Sequence, residues 1–201
     1  MNTTPFELRE WRLADVNSLA RHANNARVWD NLRDSFPRPY TRADARLFIE
    51  TGLCTIGAPT DLAIVVDGKA VGCISIVPRG DVERVTAELG YWLGENFWNK
   101  GIMTAATRQM VAHAFTRFRH LRKIYALVFD FNAPSRRVLE NAGFEREAIL
   151  EQAAIKNGKI IDFHYYSILR SQWETDAPAT ESRPEICPPR PSRPLSSPPP
   201  R

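Results

Sequence analysis

The 201-residue chain is poor in cysteine and histidine, with three of the first and four of the second. Cys54, Cys73 and Cys187 are odd in number and far apart, with no C-x-x-C pair and no histidine at metal-ligand spacing. Neither a disulfide framework nor a zinc site is expected, no metal is assigned, and a reducing cytoplasm is the default location. Long hydrophobic runs are missing too. None approaches the roughly 18 residues of a spanning helix, and the opening M-N-T-T-P-F-E-L-R-E-W-R carries charge where a signal peptide needs an apolar stretch. A membrane or secreted protein is therefore not expected. Basic clusters are also lacking: the net charge is +4, but Lys and Arg alternate with Asp and Glu through most of the chain. That pattern argues against a nucleic-acid partner, and a mild positive excess suits an anionic small molecule.

What is present is a composition for one full-sized domain, 43% hydrophobic and 25% charged, with a mean hydropathy of −0.35. Prolines mark its end. Nine of the fifteen lie from Pro178 onward, in a stretch with too few large apolar side chains to offset the entropy of ordering. The folded domain is placed at 1–173, followed by a proline-rich, disordered tail at 174–201. The tail holds P-x-x-P spacing, as in Pro188 to Pro191, which an SH3-like groove could bind, although proline-rich tails match that spacing by composition alone.

Within the domain, Phe6 to Trp11 alternates as a strand does, and Asp15 precedes a run with Val16, Leu19, Ala20 and Ala23 at helical spacing. Thr41 is an N-cap for a helix over 43–50, with Asp44 completing an imperfect capping box. Two β-branched strands meet at Asp67-Gly68, a hairpin signal. A strand T-A-E-L-G-Y-W-L follows, then a long helix on which Ala106, Met110, Ala114 and Phe118 recur every four residues. The order continues as strand K-I-Y-A-L-V-F, helix A-P-S-R-R-V-L-E-N-A, and two strands meeting at Asn157-Gly158. The fold class is mixed α/β with one central sheet, mostly antiparallel at the start and with strand-helix-strand units later.

The stretch A-E-L-G-Y-W-L-G-E-N-F-W-N-K-G-I-M-T brings a strand and short loop to a helix whose first amides have no intrahelical partner. Such amides, with the helix dipole, favour a phosphate. Gly101 permits close backbone approach, Lys100 supplies a cation and Thr104 a hydroxyl. Neither a Walker P-loop nor a Rossmann G-x-G-x-x-G is present, and Gly101 by itself is equally a turn residue.

Three ordered blocks carry a family resemblance. G-Y-W-L-G-E-N-F-W-N-K-G-I-M-T-A-A (90–106) is similar to G-Y-W-x-x-x-x-W-G-x-G-x-x-T-E-A, N-A-P-S-R-R-V-L-E-N-A-G-F (132–144) to N-x-x-S-x-x-V-L-E-K-x-G-F, and K-N-G-K-I-I-D-F-H-Y-Y-S-I-L (156–169) to a closing hairpin. Over about residues 6–173 the chain resembles the GNAT superfamily of acetyl-CoA-dependent N-acetyltransferases, and more closely its RimJ/RimL-like branch. Asn99 replaces a usual glycine and tolerates a left-handed backbone better than most residues. Met103 stands where the general motif has Gly or Ala.

The resemblance implies a splayed, largely antiparallel sheet and an acetyl-CoA cosubstrate. Its pyrophosphate would lie at the turn formed by Trp98, Asn99, Lys100, Gly101, Met103 and Thr104, with the backbone near Leu93 receiving the pantetheine and acetyl carbonyl. Asn132 would hydrogen-bond the pantetheine arm, and Ser135 would stand near the thiol. Its alternative is a cap at the helix start. Where RimL-like enzymes place a glutamate base, this chain has Ala154; where many superfamily members place a tyrosine acid, it has Leu139. The base then falls to Glu88, a carboxylate in an otherwise apolar strand, whose partial burial would raise its pKa. The alternative for Glu88 is an exposed position or a pairing with arginine. Trp29, Phe36 and Tyr40 fall where the family builds its amine pocket, core packing being the competing reading, and either Tyr165 or Tyr166 reaches the acceptor groove while the other packs. His113 and His120 read as structural or solvent-facing.

The activity so implied is direct acetyl transfer to a primary amine, a protein N-terminus or a small molecule, and a homodimer is compatible with it. A non-catalytic acyl-CoA-binding protein and an adaptor recruiting partners through its tail are the two other readings.

Overall fold

The computed structural model describes residues 4–54 and 60–176. The proline-rich stretch from 177 onward, with its P-x-x-P spacings and Cys187, lies outside the described residues. A seven-stranded sheet runs in the order β1-β2-β3-β4-β5-β7-β6. The strands are β1 (Glu7–Arg9), β2 (Asp61–Val66), β3 (Lys69–Pro78), β4 (Thr86–Leu93), β5 (Lys123–Phe129), β6 (Glu145–Lys156) and β7 (Lys159–Leu169). All neighbouring pairs are antiparallel except β4 and β5. The helices are α1 (Val16–Ala23), α2 (Ala26–Trp29), α3 (Arg42–Cys54), α4 (Ile102–Arg117), α5 (Ala133–Asn141) and α6 (Arg170–Asp176).

Local chemistry explains most of these elements. Asp67 and Gly68 (φ 48° and 72°) and Asn157 and Gly158 (φ 52° and 74°) take the paired positive φ of a two-residue hairpin turn. Asn25 opens α2 by accepting from the Arg27 and Val28 amides. The capping box at α3 is real: the Asp44 amide donates to Thr41 Oγ1 at 3.2 Å, and the Thr41 amide to Asp44 Oδ2 at 2.8 Å. Helix α3 then runs to Cys54, four residues beyond the expected end. Helix α4 stops at Arg117, so Phe118 sits at its C-cap rather than in the expected stripe.

Two layers cover the sheet. On one face α4 and α5 pack Met110, Phe115 and Leu139 against Leu89, Ile124 and Tyr166. On the other, α1 and α3 cover β2 and β3 through Leu19, Ile49 and Ala63. Alternation along β4 sends Ala87, Leu89 and Leu93 to the first layer, whereas Trp92 packs against the second. Helix α6 carries the chain past the expected boundary at 173: Trp173 packs on Phe115 at 5.4 Å, and Arg170 donates to the carbonyls of Phe115, Phe118 and Leu121. No helix among the described residues is long and apolar enough to cross a membrane.

Asp15 stands at the N-cap of α1 but makes no side-chain cap hydrogen bond to it. A 3-10 turn (Leu13–Asp15) leads into the helix, and the Asp15 carboxylate binds Arg9 twice, at 2.7 and 2.8 Å, and accepts the Arg12 amide. Both side chains are over 90% buried. Burial pushes the Asp15 pKa up, but the Arg9 and Arg12 hydrogen bonds outweigh it and hold it below the usual carboxylate range. A depressed folded-state pKa stabilises above the unfolded value and is lost as pH falls through the folded one. Asp15→Asn should therefore destabilise the protein by about 3 kcal/mol at pH 7, leaving Arg9 buried without its counter-ion. In urea melts between pH 7 and pH 3 the variant should lose less stability than wild type; parallel losses would contradict the assignment.

Candidate active site

Strand β4 is the spine of the site. The Thr86 carbonyl accepts from the Arg79 amide and the Gly94 amide donates to Val71, so even-numbered positions hydrogen-bond toward β3. Odd positions turn their N–H and C=O the other way, toward β5. There, however, the parallel ladder covers only Thr86↔Lys123, Ala87↔Ile124 and Glu88↔Tyr125. Beyond Glu88 the two strands part, while β5 stays paired with β7 through Phe129. The backbones of Tyr91 and Leu93 therefore face an open fork. The Leu93 carbonyl is already taken by the Trp98 indole N–H at 2.7 Å, so Trp98 braces the turn rather than standing free for a ligand.

The open end of the fork leads to the start of α4. Asn99 and Gly101 both have positive φ (59° and 73°), as the tolerance of Asn for a left-handed backbone had suggested. The first intrahelical bond is Ala105 N to Gly101 O, which leaves the amides of Ile102, Met103 and Thr104 for an anion. Lys100 is exposed, its Nζ 5.3 Å from the Phe97 ring, and Thr104 is half-buried. The Met103 side chain is buried in the core, so only its backbone can meet a ligand. The amides, hydroxyl and cation fit a pyrophosphate.

Glu88 stands where the fork opens, and it is isolated only in the sequence. Its Oε1 accepts from Arg33 Nη2 at 3.0 Å and its Oε2 from Arg79 Nη2 at 2.6 Å; Arg79 Nε also donates to the Tyr125 hydroxyl at 2.6 Å. The arginine-paired alternative is the arrangement seen, and the carboxylate keeps 20% of its surface exposed. Burial pushes the Tyr125 phenol up, against the pull of the Arg79 hydrogen bond.

Across the fork, Ser135 Oγ lies 2.8 Å from the Tyr91 hydroxyl, which also donates to the Ser135 carbonyl at 3.2 Å. Tyr91 is the site residue that sequence reasoning missed, though it lies inside the quoted G-Y-W block. Burial drives its phenol far above the usual range, so it stays protonated. The cap of α5 is Asn132, not Ser135: Asn132 Oδ1 accepts the Ser135 amide at 3.1 Å. Ala154 packs at the edge of the Phe129, Ile161 and Phe163 cluster, and Leu139 is fully buried. Neither position offers a proton-transfer group.

The segment from α2 to α3 closes the outer side. Trp29 Nε1 donates to the Phe36 carbonyl, and Phe36 stacks on Tyr40 at 4.8 Å and meets Trp92 edge-on at 6.0 Å. Tyr40 is 6% exposed and belongs to the core, as its competing reading held. Beneath the segment, the buried Lys156 sets Nζ 3.2 Å from the Trp29 ring centroid and donates to Leu32 O at 2.8 Å and Asp34 Oδ1 at 2.7 Å. Tyr165 stacks on Tyr125 at 5.1 Å, on the sheet face of Glu88, while Tyr166 is buried on the opposite face with its hydroxyl on Glu140. His113 is half-buried on α4 and His120 exposed.

A mixed sheet forked between two parallel strands, with an anion-ready helix start at the open end, defines the forked-sheet class of α/β folds. Residues 6–145 match the family model described as the acetyltransferase (GNAT) domain, and the chain belongs to that family. Among curated relatives, YnaD of Bacillus subtilis, named an uncharacterized N-acetyltransferase, is 31% identical over 86% of this chain and 98% of its own. YdaF of the same organism, provisionally named a ribosomal N-acetyltransferase, is 35% identical over 57% of this chain. That match spans only 61% of YdaF. RimJ of Mycobacterium smegmatis, solved in complex with CoA-disulfide, superposes with a TM-score of 0.72 at 24% identity over 85% of each chain.

Proposed function

We propose that the protein transfers an acetyl group from acetyl-CoA directly to a primary amine, a protein N-terminus or a small molecule. The observation that carries this reading is the fork itself: three paired residues, then two strands parting so that the Tyr91 and Leu93 backbones face an open edge. Such an edge can take the amide-bearing pantetheine arm as a strand takes a neighbour. When bound, acetyl-CoA supplies the thioester carbonyl that the amine attacks.

The chain's own residues have three tasks. The Leu93 N–H, aimed into the fork, stabilises negative charge developing on the carbonyl oxygen. Glu88 orients the incoming ammonium group and accepts its proton, directly or through water. Arg33, 60% exposed, is the more easily displaced of the two guanidinium partners. Across the fork, the Tyr91–Ser135 pair presents hydroxyl hydrogen bonds to the departing thiolate. Ser135→Ala and Tyr91→Phe should each lower kcat about tenfold with little change in KM, and the double variant should be no worse than the weaker single, because the two hydroxyls act as one unit.

The test is acceptor-dependent thiol release, screened with ribosomal-protein N-terminal peptides, polyamines, aminoglycosides and amino acids. Coenzyme A binding without release from any of them would overturn the catalytic reading in favour of a non-catalytic acyl-CoA-binding protein.

A further inference from the structure

A groove of about 360 Å³ lies on the far side of α5 from the fork. Arg136, Arg137 and Glu140 follow one flank of that helix at spacings of one, three and four, while Ser135 turns to Tyr91 and Leu139 to the core. Arg146 of β6 and His164 and Tyr166 of β7 form the opposite wall. Three guanidinium groups thus share the groove with one carboxylate, and Glu140 is engaged by the Tyr166 hydroxyl at 2.7 Å.

The groups that remain are short of partners. The Arg137 and Arg146 side chains make no hydrogen bond or ion pair among the described residues, and Arg136 spends one N–H on the Asp130 carbonyl. His164 is only 9% exposed, yet its Nδ1 has no hydrogen-bond partner. A buried polar atom left unpaired costs about 1–3 kcal/mol. Burial first, then Arg136 and Arg146, hold the His164 pKa below its usual range, against the opposing pull of Asp130 and Asp162.

We propose that this groove binds a phosphate group, as inorganic phosphate or a small phosphate monoester, between Arg136, Arg137 and Arg146 with His164 at its floor. Three planar donor forks exceed what the two oxygens of a single carboxylate can use, whereas a monoester offers three terminal oxygens and two negative charges. The site is separate from the pyrophosphate turn, which lies at the start of another helix. It goes beyond acetyl transfer and does not depend on it.

The test uses the full chain in buffer free of phosphate and sulfate. Inorganic phosphate and glycerol 3-phosphate are titrated by calorimetry, with the His164 ring signal followed by NMR. At least one should saturate the groove tighter than about 1 mM and move the His164 signal, and the tighter of the two identifies free phosphate or ester as the preferred form. Arg137→Gln with Arg146→Gln should weaken binding about tenfold or more, with coenzyme A affinity and thiol release unchanged. Absence of saturation, wild-type affinity in the double variant, or displacement of the phosphate by coenzyme A would each overturn the proposal. The last outcome would mark the groove as part of the cosubstrate's own site.

Discussion

Glu88→Gln lowers turnover about 10²-fold while coenzyme A affinity holds, if general-base catalysis has its usual size. Glutamine keeps the shape and can still accept a hydrogen bond from Arg79, but it cannot take a proton. Because both carboxylate oxygens also receive arginine N–H groups, the loss of charge alone loosens Arg33 and Arg79, and the two effects need separating. Two readouts do so. The deficit of the variant should narrow as pH rises toward the acceptor amine's own pKa, since a neutral amine needs no base. Arg33→Gln, which breaks half of the clamp and leaves the carboxylate, should change KM for the acceptor with kcat largely kept. Wild-type turnover in Glu88→Gln would put the base elsewhere, or show that proximity suffices.

Gly101→Asp abolishes the thermal stabilisation given by coenzyme A. Saturation at a hundred times Kd adds about 2.7 kcal/mol to the wild type, or about 5–10 °C for a domain of this size. Aspartate suits the test because it tolerates the left-handed backbone at this position better than most residues, and its carboxylate can cap the Ile102 to Thr104 amides. Helix α4 should therefore survive, and the midpoint of the free protein should move little. The same carboxylate puts a negative charge where the pyrophosphate would bind. A full coenzyme A shift in the variant would remove the cosubstrate from this turn.

Periodicity made α4 legible, and turn chemistry made both hairpins legible, because each depends on neighbours within a few residues. The Gly101 turn was readable for the same reason. The fork was not, since nothing in Thr86–Leu93 says that β5 will pair with only its first three residues. Glu88 was read as lone because its partners lie 55 residues before it and nine residues before it in sequence. The strand's apolar pattern cannot report charges that other elements bring to its open face. Tyr91 escaped for a related reason: its partner Ser135 is 44 residues away, and the G-Y-W block that contains it drew attention as a signature rather than as chemistry. Helix α2, at four residues, is too short to show a period.

Lys156 joins two parts of the chain 122 residues apart, holding Asp34 and the Leu32 carbonyl from the end of the last hairpin. The early segment and the late turn are thus held together, and the same early segment reaches the Gly101 turn: Arg27 of α2 pairs with Glu95 and sets its guanidinium 5.4 Å from the Trp98 ring. The two ends of the proposed site are consequently coupled through one short helix. A substitution that alters how Lys156 holds residues 32–34 therefore bears, through α2, on the turn at Gly101 as well.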